Sequence, residues 1–218
     1  MRTRATLLII AKSPQPGRVK TRLCPPCTPE EAASLAAAAL ADTLEVLAST
    51  PARRHVIALE GPAGPWLPTK FDVVSQKGSG LAERLAHAFA DIRGPAFLVG
   101  MDTPQLTVPL VSDALATLAQ PDTDAVLGPA LDGGWWGIGL RRRDRRVFDN
   151  VEMSTAHTYV DQQAQLGALG LRTRELISLR DVDDFDDALA VAAAAPTTRF
   201  AHAVATLEPQ LRARAVEP

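Results

Sequence analysis

The sequence predicts a three-layer α/β/α protein, in which helices cover both faces of a mostly parallel central sheet. Short apolar runs that fit buried strands alternate with helical patterns, and the connections between them are short. The run at 95–100, PAFLVG, is continuously apolar, which is typical of a strand buried on both faces. A chain of 218 residues suffices for one large domain of this class and is too short for two. We therefore predict a single domain over residues 1–218.

Strand and helix signals follow one another along the chain. Strands are predicted at 5–10, 55–59, 71–75, 95–100, 124–127 and 171–176, with one more at the end of the glycine-rich turn 128–139. Helices are predicted at 28–48, 81–92, 107–119 and 154–166, from Asp184 into an alanine run, and over the last twenty residues. Thr28, Pro29 and Glu31 form a strong helix start, with a capping threonine, proline at the first position and a carboxylate three residues after the cap.

The overall charge gives no sign of a polyanionic partner. Lys and Arg number 23 against 25 Asp and Glu, and the formal net charge is −2. We therefore expect no nucleic-acid partner and no membrane partner. The sequence shows no apolar run of about eighteen residues, and the apolar stretch near its start is too short for a signal peptide. These features predict a cytoplasmic protein.

A cationic loop follows the first predicted strand. In residues 11–23, AKSPQPGRVKTRL, Gly17 is the flexible point, and no acidic residue accompanies four cations: Lys12, Arg18, Lys20 and Arg22. Such a loop at the carboxyl end of a first strand suits a phosphorylated ligand, and a solvated basic loop is the alternative. It is not a Walker loop, because Val19 rather than glycine precedes Lys20. Side chains must therefore recognise the phosphate.

Asp102 is the first candidate metal ligand. It follows a buried strand in GMDTP, and Thr107 already fits the cap of the next helix, so the Asp102 carboxylate is free. Mg²⁺ or Mn²⁺ is held by one or two carboxylates and completes its shell with phosphate oxygens and water. The candidates for a second carboxylate are Asp132 and the acidic cluster at 181–187. We favour Asp183, with helix capping as its alternative role.

A glycine-rich turn supplies a candidate acceptor site. Asp132 lies beside Gly133 and Gly134, where the backbone can approach a ligand closely, and Trp135 and Trp136 follow. One tryptophan is placed to stack on a sugar ring or a base, and strand alternation turns the other into the core. The alternative is that both tryptophans serve packing alone.

The remaining motifs carry weaker signals. In QKGSGLAER, Gly78 and Gly80 open a helix with Arg84 one turn in, which is either a nucleotide contact or a simple turn and cap. Cys24 and Cys27 form one CPPC with no second pair to complete a zinc site, and we interpret them as incidental reduced thiols. The four histidines are scattered and receive no catalytic role. A GxSxG motif and a GxGxxG after the first strand are both missing from the sequence.

Five motifs, in order and spacing, resemble the DUF2064 family of bacterial glycosyltransferase-A-like proteins, also described as radical-SAM/selenodomain-associated transferases. They are AKSPQPGRVKTRL, QKGSGLAERLAHAF, GMDTPQL, GPALDGGWWGIGL and DVDDFDDAL, and the resemblance covers residues 7–189. The family looks like a branch of the Rossmann-like GT-A, or nucleotide-diphospho-sugar transferase, fold, which also includes 2-phospholactate guanylyltransferases. The resemblance implies a nucleotide site in the first loop, a metal at Asp102 and an acceptor region at 132–136.

The chain departs from the family pattern in the implied acceptor region. The aromatic pair after the two glycines tends to be tyrosine-like in the family and is Trp135–Trp136 here. Met153 stands where a tryptophan often precedes the Ser-Thr pair, Ser154 and Thr155, which we include among the acceptor-binding candidates. The identity of the acceptor is therefore open.

Three hypotheses for the function remain. In glycosyl transfer from an NDP-sugar to a small acceptor, a metal at Asp102 and Asp183 acts with Lys20 and Arg22 on the departing diphosphate, and Asp132 deprotonates the acceptor. In nucleotidyl transfer, the loop cations bind the β and γ phosphates of an NTP while a phosphorylated acceptor attacks the α-phosphorus and pyrophosphate leaves. The third hypothesis is a nucleotide-binding partner protein without turnover.

Overall fold

Seven strands form one sheet in the computed structural model, which describes residues 4–216. They are β1 (Thr6–Lys12), β2 (Arg54–Glu60), β3 (Phe71–Ser75), β4 (Ala96–Val99), β5 (Ala125–Pro129), β6 (Trp135–Leu140) and β7 (Thr173–Glu175). Their order is β3-β2-β1-β4-β6-β5-β7. β6 runs antiparallel to both of its neighbours, and the other pairings are parallel. The predicted mostly parallel sheet is confirmed.

Helices cover both faces of this sheet, as the three-layer prediction requires. They are α1 (Pro29–Ser49), α2 (Leu81–Ala90), α3 (Val108–Leu118), α4 (Thr158–Ala168), α5 (Phe185–Ala194) and α6 (Arg199–Val216). Side chains of β1 alternate between the two layers: Leu7 and Ile9 pack with α1 and α3, whereas Leu8 packs with α2. A third apolar cluster joins α1 to α5 and α6.

The helix starts follow local capping chemistry. Thr28 and Glu31 form the predicted capping box, Thr107 caps α3, and Asp184 caps α5 in a second capping box. The helix expected from 154 begins at Thr158 instead, because Ser154 has a φ of 63° and lies in the left-handed region. Residues 154–157 therefore form a loop, which bears on the candidate site.

Helix α1 lies within the core. Within residues 4–216 it is the one helix long and apolar enough to cross a membrane by length and composition alone. However, 56% of its most apolar window is buried, and it packs against α6 and α3. Core helices of globular domains are also apolar and mostly buried.

The topology brings four loops to one edge of the sheet. Parallel β1, β4, β5 and β7 end there and continue into residues 13–23, 100–107, 130–134 and 176–184. Antiparallel β6 begins at the same edge, with Trp135. Ligands of open α/β sheets bind at this edge, beyond the carboxyl ends of the strands.

Candidate active site

A cavity of about 690 Å³ opens at this edge of the sheet. It brings together most of the predicted site residues: Lys12, Arg18, Lys20, Arg22, Arg84, Asp102, Asp132, Gly134, Trp135, Ser154, Thr155 and Asp183. Four predicted glycines do not line it: Gly17, Gly78, Gly80 and Gly133. The volume falls in the usual range for sites that bind small molecules and cofactors.

Lys20 is the buried cation of the cavity. Its backbone is left-handed, with a φ of 49°, and precedes a 3₁₀ turn over Thr21–Leu23. The ammonium nitrogen lies 2.8 Å from Oδ1 of Asp102 and also donates to the carbonyl oxygen of Val182, and its side chain is only 9% exposed. Lys20 thus ties the first loop to the end of β4 and to the segment before α5.

The other cations of the first loop differ in how they are paired. Arg22 donates to Oδ2 of Asp183 at 2.9 Å, and Lys12 lies 3.7 Å from Glu60, which also pairs with Arg84. Arg18 is exposed at the cavity, and the structure gives its side chain no hydrogen bond or ion pair within residues 4–214. Arg18 can therefore bind an anion without first breaking an ion pair or a hydrogen bond.

Asp181 is one of the candidates for the second carboxylate, although the sequence favours Asp183. Asp181 lines the cavity, and its Oδ1 is shielded from solvent without a hydrogen-bond partner in the described part of the chain. Burial, followed by the negative charges of Asp102 and Asp132, raises the pKa of Asp181 to about 8, and Lys20 opposes this shift. Both aspartates precede α5, so sequence spacing alone carries no signal that separates them.

A divalent cation fits this donor set. Asp102 and Asp181 are oxygen donors close enough to repel each other, and Asp181 has an oxygen without a partner. Among residues 4–214, no group of three or more His, Cys, Asp or Glu side chains is arranged to hold an ion. Mg²⁺ commonly takes one or two carboxylates together with substrate phosphates and water, so the arrangement suits a metal that is shared with a phosphate.

Two loops form one wall of the cavity, which we call the acceptor wall (residues 132–136 and 153–158) after the acceptor site predicted from the sequence. Gly133 has a φ of 89°, and a Cβ there would lie 2.1 Å from the carbonyl oxygen of Ala156. The amide of Tyr159 donates to the carbonyl of Gly133 at 2.8 Å. Thr158 closes the second loop by accepting from the amide of Thr155 and donating to the carbonyl of Glu152. The two loops are therefore locked together.

The paired tryptophans divide as strand alternation predicts. Trp136 is 1% exposed, and its indole N–H donates to the carbonyl of Ile177 at 2.9 Å. Trp135 is half-buried and lines the cavity. Beside it, Oδ1 of Asp132 accepts from the amide of Gly134 at 2.8 Å, which fixes the orientation of this exposed carboxylate.

The QKGSG turn contributes a side chain that the sequence reasoning did not select. Gly78 has a φ of 127° and Gly80 caps α2, so both glycines shape the turn. Glu83 accepts from both the amide and the hydroxyl of Ser79. Gln76 lines the cavity beside the first loop, and its amide nitrogen donates to the carbonyls of Ala11 and Ala58.

The cysteines lie apart from this chemistry. Both thiols are free, and neither lines the cavity. Burial, with help from nearby glutamates, raises the pKa of both thiols, that of Cys27 to about 11. Neutral thiols of this kind are poor nucleophiles, which agrees with the interpretation of incidental reduced cysteines.

Comparison with known proteins identifies the family. The sequence profile described as "Uncharacterized protein conserved in bacteria (DUF2064)" matches residues 32–155, more than half of the chain. The chain belongs to the DUF2064 family. This confirms the resemblance that the five motifs indicate, and the match takes in the cap of α3, Asp102 and the acceptor wall up to Thr155. Among curated proteins, none matches the sequence significantly.

Solved structures place this DUF2064 member in the nucleotide-diphospho-sugar transferase fold. A candidate nucleotide-diphospho-sugar transferase from Desulfovibrio desulfuricans G20 is 27% identical at a TM-score of 0.85, over 95% of this chain and 96% of that one. Rv0371c from Mycobacterium tuberculosis H37Rv is 19% identical (TM-score 0.51; 86% and 96% covered). CMP:2-keto-3-deoxy-manno-octonic acid synthetase, complexed with CTP, is 12% identical (TM-score 0.53; 83% and 93% covered). The last two likenesses concern the fold alone.

Proposed function

We propose that this protein is a metal-dependent transferase that moves a glycosyl group from an NDP-sugar to a small acceptor. The observation that carries the proposal is the meeting, in one cavity, of an unpaired cation, Arg18, with two neighbouring carboxylates, Asp102 and Asp181. A nucleoside diphosphate bound through a metal needs both kinds of group. The name of the Desulfovibrio desulfuricans structure, candidate nucleotide-diphospho-sugar transferase, supports the same reaction class.

The donor diphosphate is bound by the first loop in this proposal. Arg18 supplies the first contact, because its guanidinium is unpaired, and Arg22 and Lys12 stand on either side of it in the loop. Gly17, with a φ of 72° and no neighbour within 4 Å of an added Cβ, leaves the loop free to adjust around phosphates. The turn at Gly78 and Gly80 presents Arg84 to the same ligand.

The metal site is formed by Asp102 and Asp181. A bound Mg²⁺ or Mn²⁺ supplies positive charge that stabilises the departing diphosphate. Lys20, held against Asp102, adds a fixed cation to the same region without needing to move. Asp183, the second ligand favoured on sequence grounds, is paired with Arg22, and Asp181 fits this role better because its oxygen is unpartnered.

The acceptor is activated by Asp132. One carboxylate oxygen is held by the amide of Gly134, and the other is left to accept a proton from an acceptor hydroxyl within hydrogen-bond reach. Trp135 offers an apolar surface for stacking, and Ser154 and Thr155 offer hydroxyl groups on the facing loop. These residues give the acceptor a defined position beside the donor site.

Nucleotidyl transfer from an NTP is the second candidate. It is favoured by the five cations that line the cavity, Lys12, Arg18, Lys20, Arg22 and Arg84, which exceed what a diphosphate requires. The β and γ phosphates then contact the first loop, and pyrophosphate replaces NDP as the leaving group.

Thermal unfolding of the full chain with Mn²⁺ and each nucleotide tests the proposal. Nucleotide at one hundred times its Kd adds roughly 2.7 kcal/mol to the free energy of unfolding. We expect NDP or NDP-sugar to stabilise the wild type, and Asp102→Asn to weaken the metal-dependent affinity at least tenfold. Asp113→Asn, an exposed position on α3, is the matched control.

The outcomes separate the two candidates. Stabilisation by NTP beyond NDP, with release of pyrophosphate, favours nucleotidyl transfer. If no nucleotide raises the unfolding temperature in the presence of metal, neither transferase function stands.

A further inference from the structure

The charges of the cavity are divided between its two sides. The lining cations come from the first loop and from Arg84 on α2. On the acceptor wall, Asp132 is the one acidic or basic side chain that lines the cavity within the described residues. Its neighbours there are Trp135, Met153 and the hydroxyl residues Ser154 and Thr155. The cavity-lining side of the acceptor wall therefore carries the carboxylate of Asp132 and no basic side chain, since His157 of the second loop does not line the cavity.

Some buried polar atoms of the cavity-lining residues have no hydrogen-bond partner among the described residues. Six buried side-chain atoms lack a hydrogen-bond partner in the described part of the chain, and three of them belong to cavity-lining residues: Thr103, Trp135 and Asp181. Thr103 is only 1% exposed, so its unpaired hydroxyl lies beyond the reach of bulk water. A buried hydroxyl or indole N–H without a partner costs about 1–3 kcal/mol. Water cannot reach the Thr103 hydroxyl or the Trp135 indole N–H in the open cavity, so these two groups lie behind its surface and are not offered to a ligand. The groups that the acceptor wall does expose, the carboxylate of Asp132 and the hydroxyls of Ser154 and Thr155, offer both donors and acceptors to hydroxyl groups.

Two cations of the cavity are already held by partners of their own. Lys20 is buried between Asp102 and the carbonyl of Val182, and Arg22 is paired with Asp183. The wall itself is fixed by the contact of Gly133 with Ala156 and by the bonds of Thr158. Arg18, the unpaired cation of the cavity, is assigned to the donor diphosphate, and no lining residue of the wall itself supplies a positive charge beside Asp132. An acceptor phosphate placed there would meet a carboxylate without a counter-charge.

We propose that the acceptor is an uncharged polyhydroxyl compound, a sugar or polyol, and that the acceptor wall excludes acceptors that carry a phosphate or carboxylate. This inference rests on the proposed glycosyl transfer. In the reaction, the acceptor oxygen forms a bond to the anomeric carbon of the donor, and the hydroxyl proton passes to Asp132. The bond between that carbon and the diphosphate breaks, and its electron pair leaves with the NDP.

Matched acceptor pairs test the inference. The full chain, Mn²⁺ and UDP- or GDP-hexose are incubated with glycerol, glucose, mannose or inositol and, separately, with the monophosphate of each, and the release of NDP and the product mass are measured. We expect kcat/KM for at least one neutral acceptor to exceed that of its phosphate by 100-fold or more. Met153→Arg adds a cation to the wall and should lower the ratio of kcat/KM for the neutral acceptor to kcat/KM for its phosphate at least tenfold. Met153→Gln, the uncharged control, should leave this ratio unchanged.

The outcomes distinguish failure of the acceptor inference from failure of the proposed transferase function. A phosphorylated acceptor preferred over its neutral partner overturns the inference and leaves the transferase function in place. Failure of every neutral acceptor, while Mn²⁺ and the nucleotide still bind, also overturns it. If the wild type binds no nucleotide, the proposed function fails and takes the inference with it. The comparison of acceptors in the wild type remains decisive even if Met153→Arg does not fold.

Discussion

Asp181 lies in a position suited to metal binding, but it destabilises the folded protein when no metal is bound. One oxygen of its carboxyl group, Oδ1, is shielded from solvent, and the negative charges of Asp102, Asp132 and Asp183 disfavour its ionised form, for which Lys20 compensates only in part. Because its pKa is raised to about 8, Asp181 takes up a proton on folding at neutral pH, and this uptake lowers the free energy of unfolding. Such groups concentrate at functional sites, where the ligand supplies the missing countercharge.

Asp181→Asn should therefore have opposite effects on stability and on function. Without metal, we expect the variant to unfold at a higher temperature by about 2–4 °C, which corresponds to roughly 1 kcal/mol for a chain of this size. Its affinity for Mn²⁺ in the presence of NDP should fall at least tenfold. Scanning calorimetry and metal titration measure the two effects, with Asp186→Asn, an exposed position on α5, as the control. Unchanged metal affinity would remove Asp181 from the site.

The sequence predicts which side chains gather at the site more reliably than it predicts how they pair. Alternation along β6 correctly assigns one tryptophan, Trp136, to the core and leaves Trp135 half-buried, although both border the cavity. The choice between Asp181 and Asp183 depends on the path of three residues before α5 and on Arg22, which lies 161 positions away in the chain. Local patterns contain no information about such distant contacts.

At the level of elements, the close approach of two loops builds the acceptor wall. Gly133→Ala places a methyl group against the carbonyl of Ala156 and in a left-handed conformation. We expect a loss of about 1–3 kcal/mol in the free energy of unfolding, from denaturant titration, and a fall in transfer rate with nucleotide affinity unchanged. Gly170→Ala is the control, since its φ of 70° brings the same strain but no neighbour lies within 4 Å of the added carbon. Equal effects in both variants would show that the loop contact is unimportant.

An ion pair between Asp124 and Arg172 helps to attach edge strand β7 to β5. Asp124 accepts from the guanidinium and the amide of Arg172, and these bonds lower the pKa of Asp124 to about 2. Because the folded pKa is below that of the unfolded chain, the stabilisation is present at neutral pH and is lost as the pH falls from about 4 towards 2.

Asp124→Asn should cost about 1 kcal/mol at pH 7, since solvent screens the partly exposed Arg172, and progressively less below pH 4. Urea unfolding of wild type and variant across this pH range measures the difference. Asp72→Asn removes the more exposed partner of Arg54 and should cost less than about 0.5 kcal/mol throughout. A cost at Asp124 that does not change with pH would contradict the role assigned to the ion pair.

Elements with strong local signals were predictable, and those set by distant contacts were not. The capping box at Thr28 and the caps at Thr107 and Asp184 place three helices correctly, because each cap is complete within four residues. The start of α4 was predicted too early, because Ser154 is drawn into a left-handed loop that packs against Gly133. The antiparallel insertion of β6 between β4 and β5 is likewise a long-range feature that local periodicity cannot specify.

At the level of the whole molecule, the site joins segments from opposite ends of the chain. Lys20 and Arg22 of the first loop contact Val182 and Asp183, and the amide of Val182 donates to the carbonyl of Asp102. A ligand that binds the first loop and the carboxylates together should therefore stabilise both segments at once. Ligand binding stabilises the folded state, and local opening that breaks the site is suppressed in the same way.

Hydrogen exchange provides the test. With Mn²⁺ and saturating NDP, amides in residues 12–23 and 181–184 should exchange at least tenfold more slowly, whereas those of edge strand β3 and of α6, which do not line the cavity, should change little. Asp102→Asn should abolish protection in both segments, because Asp102 is the carboxylate that Lys20 contacts and the carboxylate proposed to bind the metal. Protection confined to residues 12–23 would mean that the nucleotide binds the cationic loop alone, and that the carboxylates at 102 and 181 take no part in holding it.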